Sequence, residues 1–271
     1  MGVLPGAEPI DLAGGPVGVL LCHGFTGTTQ SVRPWADHLA AAGLTVRAPR
    51  LPGHGTRWQD LGGTTFDDWY AEALAGLEVL SGRCRTVFAM GLSMGGTIVL
   101  RLAELRQDVA GVVVVNASLG TDHKLARLAP LLSRAVPSFP GIASDIARPG
   151  VTELAYDRVP LKAFVSLQHA WPVVAGDLPR ITCPVLAYRS RIDHVVPPVS
   201  GQLLVDGLAG GGVRKSLLSE VVLERSYHVA TLDYDADLIF AGSLDFVRTR
   251  APAAAGEPEA LVAAHEARRP S

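Results

Sequence analysis

The sequence predicts an α/β fold in which a mostly parallel central sheet is flanked by helices, and two observations support that prediction. Short continuous apolar runs, such as Val17 to Cys22 and Gly111 to Val115, are typical of strands that are buried on both faces. These runs alternate with amphipathic stretches long enough for helices of about ten or more residues, which is the order of βα units. One such domain can hold all 271 residues around a single core.

The composition supports a large core and argues against several classes of partner. Apolar residues make up 48% of the chain and charged residues 18%, which allows a large buried sheet. The 24 basic and 26 acidic side chains nearly balance, so no nucleic-acid partner is indicated. Cys22, Cys84 and Cys183 are far apart and form no Cys-x-x-Cys motif. We expect them to be buried thiols in a reducing cytosol.

Residues 1–15 are expected to form a lead-in or edge segment. They contain no basic region followed by an apolar core, and no apolar run in the chain reaches membrane-spanning length. The sequence therefore predicts a soluble cytoplasmic protein without stable membrane insertion, and it leaves the oligomeric state open.

The elements of the core follow in order along the chain. Strands are predicted at Val17–Cys22, Leu44–Ala48, Arg85–Met90, Gly111–Val115, Pro184–Tyr188 and Glu220–Glu224. Helices are predicted from a cap at Thr29 or Ser31 to Gly43, from the capping pair Thr65 and Asp68 to Gly82, and over Met94–Leu105, Val199–Leu208 and Ala236–Val247.

This alternation stops between Ser118 and Leu178, where no strand-like run occurs. Prolines separate three predicted short helices, at Leu125–Leu132, Val151–Tyr156 and Leu161–Val174. An insertion of this size at one end of a parallel sheet is expected to cover the carboxyl ends of the strands as a lid. The alternative is an extra helical layer without a role in binding.

The expected organisation is therefore a core with one insertion. Residues 1–117 and 179–250 form the core, and residues 118–178 form a small helical lid. Residues 251–271, rich in Ala, Pro and Glu, are predicted to be a flexible tail.

The stretch Gly91-Leu92-Ser93-Met94-Gly95 joins a predicted strand to a predicted helix. In that context Gly-x-Ser-x-Gly is typical of a nucleophile elbow, in which the serine adopts strained backbone angles and its hydroxyl is exposed above the sheet edge. Side chains at positions 91 and 95 would crowd this turn. The alternative is a pair of glycines that only close a turn.

A serine hydroxyl needs a base to accept its proton and a third group to orient that base. On this topology the acid and then the histidine should follow the serine, each just after a strand. Asp193 lies five residues after the strand ending at Tyr188, and His228 lies four after the strand ending at Glu224. We therefore predict Ser93 as nucleophile, His228 as base and Asp193 as its orienting acid. The alternative for Asp193 is a turn aspartate before Pro197.

The other histidines fit the role of base less well. His194 is adjacent in sequence to Asp193, which makes it a poor partner for that carboxylate, and His54 is expected to tie down its own loop. His123 precedes Asp193, and the rest are assigned to helix surfaces or the insertion: His38, His169 and His265. Three carboxylates after His228 are interpreted as a helix start: Asp233, Asp235 and Asp237.

Acyl transfer also requires two donors for the oxyanion of its transition state. The Met94 N–H, at the start of the elbow helix, is one candidate. The Phe25 N–H, in the loop His23-Gly24-Phe25 after the first buried strand, is the other, and the Phe25 side chain is expected to form an apolar wall. No metal-ligand spacing and no dinucleotide-binding glycine motif occurs, so no cofactor is implied.

Five motifs in order resemble the α/β-hydrolase superfamily, and within it the bacterial monoacylglycerol lipase and small carboxylesterase group. They are Leu20–Gly27, Leu51–Gly55, Gly91–Gly96, Asp193–Pro198 and Ser226–Asp235. The resemblance spans residues 16–248. Two parts of the insertion, Ile142–Ile146 and Pro149–Asp157, are similar to the lid of the bacterial monoacylglycerol lipases, although Asp157 stands where a glutamate is also found.

The resemblance implies a serine hydrolase acting on monoacylglycerols or similar single-chain esters. It also implies that Glu153 contacts the glycerol head and that Ile142 lines the substrate pocket. From the residues alone, Glu153 is equally a solvated charge on a lid helix. Other apolar lid residues suit an acyl chain: Leu125, Leu128, Leu131, Leu132, Phe164, Leu167 and Trp171. The alternatives are a short-chain carboxylesterase or thioesterase and, in another class, a non-catalytic binding protein of the same fold.

Overall fold

The computed structural model describes residues 2–122, 126, 128–142, 144–210 and 217–251. In this part of the chain the strands are β1 (Ile10–Leu12), β2 (Val17–Cys22), β3 (Thr45–Ala48), β4 (Thr86–Leu92), β5 (Val109–Val115), β6 (Ser138–Pro140), β7 (Arg158–Pro160), β8 (Val185–Ser190) and β9 (Leu218–Leu223). Seven of them form a central sheet in the order β1-β3-β2-β4-β5-β8-β9. Every pair in that sheet is parallel except the edge pair of β1 with β3.

Helices cover both faces of the sheet. They are α1 (Arg33–Ala41), α2 (Trp58–Leu61), α3 (Phe66–Ser81), α4 (Met94–Leu105), α5 (Ala129–Leu132), α6 (Leu161–Asp177), α7 (Val199–Gly210) and α8 (Ala236–Arg250). Alternate residues of a strand face opposite sides, and β2 shows the result. Leu20 packs in a core with α3, α4 and α6, whereas Leu21 packs in a second core with α1 and α8. The predicted α/β architecture is therefore confirmed.

Local capping agrees with the sequence in one helix and differs in another. Asp68 accepts hydrogen bonds of 2.8 Å from both the N–H and the hydroxyl of Thr65 at the start of α3, as predicted. The predicted cap of α1 at Thr29 or Ser31 is wrong. Residues Thr29–Val32 instead form a 3₁₀ turn capped by Thr28, and α1 begins only at Arg33.

The insertion contains strands and one extended segment where helices were predicted. The prediction that it lacks strands is wrong, because β6 and β7 pair antiparallel. The predicted helix over Val151–Tyr156 is also wrong. Three of its N–H groups bond to residues outside it instead of to a preceding helical turn: Glu153 N–H to Ser144 Oγ, Leu154 N–H to Gln30 Oε1 and Tyr156 N–H to Thr26 O. We call residues 144–156 the strap.

The rest of the insertion divides into a buried helix and an exposed region. Helix α6 buries Leu167 and Trp171 in the same core as α4. By contrast, residues 128–142, here called the outer segment, leave Leu131 64% exposed and Ile142 60% exposed. The predicted helix at Leu125–Leu132 is described only in part, as α5, because residues 123–125 and 127 lie outside the described residues. A lid role for residues 118–178 stays a prediction.

Other predictions concern the termini, the membrane and the cysteines. The N-terminal segment supplies the edge strand β1, and residues 252–271 of the predicted tail lie outside the described part of the chain. Within the described residues, no helix is both long and apolar enough to cross a bilayer.

All three cysteines are free thiols; Cys22 is fully buried, and Cys84 and Cys183 are half-buried. Burial raises the pKa of Cys22 to about 12.

Candidate active site

Ser93 occupies a strained turn between β4 and α4. Its backbone angles are φ 55° and ψ −119°, in a region that residues other than glycine rarely adopt. The flanking glycines are required by close approach. A Cβ on Gly91 would lie 2.2 Å from the carbonyl oxygen of Gly95, and one on Gly95 would lie 2.1 Å from the carbonyl oxygen of Cys22. The packing of this turn therefore explains why glycine occupies both positions.

Asp193 and His228 lie together, as the order of motifs predicts. His228 Nδ1 is 2.8 Å from Asp193 Oδ2, and both side chains are more than nine-tenths buried. A carboxylate can only accept, so Nδ1 carries a proton, and in the neutral ring Nε2 has a free lone pair. Asp193 Oδ1 accepts 2.8 Å bonds from the N–H groups of Val195 and Val196. The turn role and the role of orienting acid are therefore compatible in one carboxylate.

The electrostatics of this pair follow from their burial and from each other. Burial alone would lower the pKa of His228, but the charge and hydrogen bond of Asp193, with the charges of Glu153 and Asp145, raise it above its usual value. Burial opposes ionisation of Asp193, yet His228 and the two backbone N–H donors hold its pKa below the usual range. Together these effects favour the imidazolium–carboxylate pair.

Asn116, which the sequence analysis missed, joins the loops that carry Ser93 and His228. The Ser93 N–H donates to Val115 O at 2.9 Å, and the next residue, Asn116, donates from Nδ2 to His228 O at 2.8 Å. Asn116 Oδ1 also accepts the N–H of Ser190 at the end of β8. The sequence contained one indication of this role, because Asn116 is a polar residue that directly follows the run of buried valines in β5.

His23 fixes the loop that contains the predicted second oxyanion donor. The Leu51 N–H donates to His23 Nε2 at 3.2 Å, so the ring proton is on Nδ1, which donates to Gly24 O at 3.0 Å. In a trans peptide the C=O and N–H point in opposite directions, so this bond also orients the Phe25 N–H. Burial lowers the pKa of His23 to about 4 and keeps the ring neutral. Gly24 lies against the Ser93 side chain: a Cβ there would be 3.3 Å from that of Ser93.

Aromatic side chains form a wall beside this loop. The Phe25 ring centroid is 5.6 Å from that of Trp69 and 6.2 Å from that of Phe164 on α6. Phe164 in turn meets Trp171 edge-on at 5.9 Å. His54 packs against the same rings, and its Nδ1 bonds Pro52 O at 3.1 Å, so it does tie down its own loop as expected. The predicted apolar wall at Phe25 therefore extends from the core loop to the insertion.

Glu153 differs from a solvated surface charge. Burial raises the pKa of its carboxyl to about 7, against the opposing charge of His228 and a contact with Ser31. The loop of residues 23–27, which carries the predicted donor Phe25, is here called the oxyanion loop. A Cβ on Gly27 in this loop would lie 2.6 Å from Glu153 Oε1. The strap therefore places this carboxyl against the oxyanion loop, where its charge also acts on His228. The alternative of a solvated charge on a lid helix is wrong.

Two other acidic residues have roles that the sequence analysis did not assign. Asp233 was interpreted as part of a helix start, but it is buried and accepts bonds from the N–H groups of Ala147, Arg148 and Tyr227. Asp145 contacts both His194 and the backbone of His228. Several of these contacts join segments more than 80 residues apart, so local sequence patterns did not reveal them.

The predicted acyl-chain residues of the insertion fall into three groups. Phe164 belongs to the aromatic wall, while Leu167 and Trp171 are buried in the core with α4. On the outer segment Leu128, Leu131 and Ile142 are exposed and Leu132 is half-buried, and Leu125 lies outside the described residues. Contact of Ile142 with substrate therefore stays a prediction.

The chain is similar to known proteins in family pattern, in sequence and in structure. A model of the alpha/beta hydrolase family matches residues 19–241. The chain is 45% identical over 247 residues to a thermostable monoacylglycerol lipase of Bacillus sp. strain H-257, which covers 90% of this chain and 95% of that protein. It is 27% identical over 243 residues to a carboxylesterase of Bacillus subtilis strain 168, covering 89% of this chain and 96% of that protein.

The chain is also similar to solved structures of lipolytic enzymes. The chain is similar, with a TM-score of 0.86 and 41% identity, to a structure from work on LipS and LipT, two metagenome-derived lipolytic enzymes. That match covers 92% of this chain and 100% of the other. The Paleococcus ferrophilus monoacylglycerol lipase shares the fold with a TM-score of 0.75 at 21% identity, covering 93% of this chain and 100% of that one.

Proposed function

The chain belongs to the alpha/beta hydrolase family, and we propose that within this family it is a serine hydrolase that cleaves carboxylic esters, with monoacylglycerols as the preferred substrates. One observation carries the proposal. The chain has both a buried histidine–aspartate pair, with His228 Nδ1 2.8 Å from Asp193 Oδ2, and a serine, Ser93, in a strained turn between β4 and α4. The monoacylglycerol lipase that is 45% identical supports the substrate class.

In the proposed reaction, the Ser93 hydroxyl attacks the acyl carbon and its proton passes to His228 Nε2. Asp193 holds Nδ1–H and stabilises the imidazolium that forms. His228 then protonates the oxygen of the leaving alcohol as the ester bond breaks. The alcohol departs, and the acyl group remains on Ser93. Water, activated by the same imidazole, attacks this acyl-enzyme and releases the fatty acid.

Two backbone donors are proposed to stabilise the oxyanion. Met94 is the first residue of α4, where an N–H has no partner within its own helix. Phe25 N–H is the second donor, oriented by the bond from His23 to Gly24 O. Donors fixed in advance stabilise the transition state without reorganisation, and each contributes on the order of 3 kcal/mol.

The proposed substrate site lies between the aromatic wall and the strap. Phe25 and Phe164 offer an apolar surface for the acyl chain, and the exposed Ile142 is proposed to contact the chain as well. Glu153 is proposed to bind the glycerol hydroxyls, since a buried carboxyl that lies against Gly27 and interacts electrostatically with His228 is placed to accept hydrogen bonds from an alcohol held at Ser93. An ester without free hydroxyls gains nothing from Glu153.

A short-chain carboxylesterase is the second candidate, supported by the relative of that name at 27% identity. A thioesterase would use the same three residues. A non-catalytic binding protein is disfavoured because Ser93, His228 and Asp193 are all present. The three free cysteines fit a cytoplasmic location, which we propose for this chain.

Hydrolysis of p-nitrophenyl esters from acetate to palmitate and of 1-monolauroylglycerol, by wild type and Ser93→Ala, tests the proposal. We expect the variant to lose about 10⁴-fold or more in kcat, and the wild type to prefer the medium-chain glycerol ester. Turnover of only the shortest esters would favour the carboxylesterase. Full activity in Ser93→Ala would refute the mechanism.

A further inference from the structure

Asp145, in the strap, lies between the two loops that carry the catalytic acid and base. Its Oδ2 accepts the N–H of His228 at 3.1 Å and the N–H of His194 at 3.2 Å. Its Oδ1 is 2.8 Å from His194 Nδ1. The carboxylate is only 8% exposed, so these protein groups replace water as its hydrogen-bond partners.

The backbone of Asp145 reinforces the same connection. Its carbonyl oxygen accepts the N–H of Val229 at 3.0 Å, so side chain and backbone bind two successive residues of the loop that presents the catalytic imidazole. The His228 N–H is buried and would lose a charge-assisted bond without this carboxylate. His194 directly follows Asp193, so the acid loop is held by the same group. Its ring also packs edge-on against Tyr227, with centroids 4.7 Å apart.

We infer that Asp145 is a positioning residue for ester hydrolysis: this carboxylate of the insertion fixes the backbone of His228 and, through His194, the loop of Asp193. The inference rests on the proposed function. The geometry of the catalytic pair then depends on a side chain of the insertion, from outside the α/β core.

The charge of Asp145 adds a second effect on His228. Three carboxylates act on that imidazole: Asp193 through its hydrogen bond, and Glu153 and Asp145 through space. His194, bonded to Asp145, is the further titratable group of this cluster. His228 acts as a base only when it is neutral, and each negative charge favours its protonated form. Removing the charge of Asp145 therefore lowers the pKa of His228 and moves the acidic limb of the activity profile to lower pH.

Two substitutions separate the hydrogen bonds from the charge. In Asp145→Asn the amide oxygen can still accept both backbone N–H groups while the NH₂ faces His194, whose ring can switch tautomer to accept from it. This variant loses the charge and keeps the bonds. Asp145→Ala loses both, and its cost is expected to be the greater.

Asp233→Asn is the matched control. Asp233 is also buried and also joins the strap to the loop of residues 224–229 that carries His228, here called the base loop. It does so through the N–H groups of Ala147 and Tyr227, but it bonds neither His228 nor the acid loop in the described structure. Its substitution is expected to lower thermal stability without moving the acidic limb.

The experiment compares kcat, KM and pH profiles of wild type, Ser93→Ala, Asp145→Asn, Asp145→Ala and Asp233→Asn on the p-nitrophenyl ester that the wild type hydrolyses fastest. We expect Asp145→Ala to lose about 10- to 100-fold in kcat, the rate equivalent of one charge-assisted hydrogen bond, with KM nearly unchanged. Asp145→Asn should lose less in kcat and shift its acidic limb to lower pH. NMR titration of the His228 imidazole should show the same direction of shift in the free enzyme.

The outcomes separate the two proposals. Should both Asp145 variants keep the wild-type kcat and pH profile while Ser93→Ala is inactive, Asp145 is only structural and the inference alone fails. The inference also fails if the Asp145 variants lose stability but match Asp233→Asn in kcat and in the acidic limb. Wild-type activity in Ser93→Ala would overturn the proposed function and this inference with it.

Discussion

Two parts of the insertion, the strap and the outer segment, differ in how they are attached. In the strap, N–H groups and side chains bond to both the base loop and the oxyanion loop, as in the bonds of Asp145 to His228 and of Tyr156 N–H to Thr26 O. The outer segment instead leaves large apolar side chains such as Leu131 in solvent. One insertion therefore contains a part that is bonded to the loops of the candidate site and a part whose large apolar side chains lie in solvent. We expect substitutions in these two parts to change different properties.

The largest effect is expected at His23, in the oxyanion loop that the strap crosses. His23→Ala removes the bond that orients the Gly24–Phe25 peptide, so one oxyanion donor is no longer fixed. We expect kcat to fall about 100-fold with little change in KM. A trifluoromethyl ketone that mimics the tetrahedral intermediate should lose affinity in parallel. Unchanged inhibitor affinity would mean that the Phe25 N–H is not an oxyanion donor.

Tyr156→Phe tests how firmly the strap is attached. The Tyr156 hydroxyl donates to Gly53 O at 2.9 Å and accepts the Thr56 N–H at 2.8 Å, and the side chain is buried. Its loss leaves two polar groups without a partner, so we expect the free energy of unfolding in urea to fall by about 2 to 4 kcal/mol. Leu131→Ala in the outer segment is the control, with an expected change of about 0.5 kcal/mol or less. Equal losses would contradict the comparison.

Glu153→Gln tests the buried carboxyl through pH. Because its pKa is raised from 4.5 to about 7 in the folded protein, the group stabilises the fold below pH 4.5, and that contribution is lost as pH rises to about 7. The glutamine side chain does not titrate, so the variant does not lose this contribution. Between about pH 5 and about pH 8, the free energy of unfolding of wild type should therefore fall by about 1 to 3 kcal/mol more than that of the variant. The same variant should lose preference for 1-monolauroylglycerol over ethyl laurate. A stability difference that is independent of pH would contradict the raised pKa.

The smallest effect on folding is expected in the outer segment. Ile142 is 60% exposed, so Ile142→Ser should leave thermal stability nearly unchanged. If Ile142 meets the acyl chain, KM for 1-monolauroylglycerol should rise by about tenfold, while turnover of p-nitrophenyl acetate stays the same. An equal change for both esters would remove Ile142 from the acyl site.

The sequence predicted the elements that depend on local pattern. The apolar runs of β2 and β5, the elbow at Ser93 and the acid before the base in the chain all follow from periodicity and motif order. β4 extends two residues beyond its predicted end, up to the strained serine, because the elbow continues the strand to Leu92.

What the sequence did not predict depends on contacts between distant segments. The strap is extended because Gln30, Thr26 and Ser144 accept the N–H groups that a helix would have used. Likewise, nothing in the neighbourhood of Asp145 or Asp233 indicates that their carboxylates bind loops more than 80 residues away. Such long-range bonds have no local signature, and the contacts of Asp145 and Asn116 with the backbone of His228 are of this kind.

Labelling of the nucleophile tests the central claim most directly. Wild-type enzyme treated with a p-nitrophenyl alkylphosphonate should acquire one phosphonyl group, and peptide mass spectrometry should place it on Ser93. His228→Ala should be labelled far more slowly, since the base that activates the serine is absent. A label on another residue, or an active enzyme that takes up none, would contradict the assignment of Ser93, His228 and Asp193 as the catalytic triad.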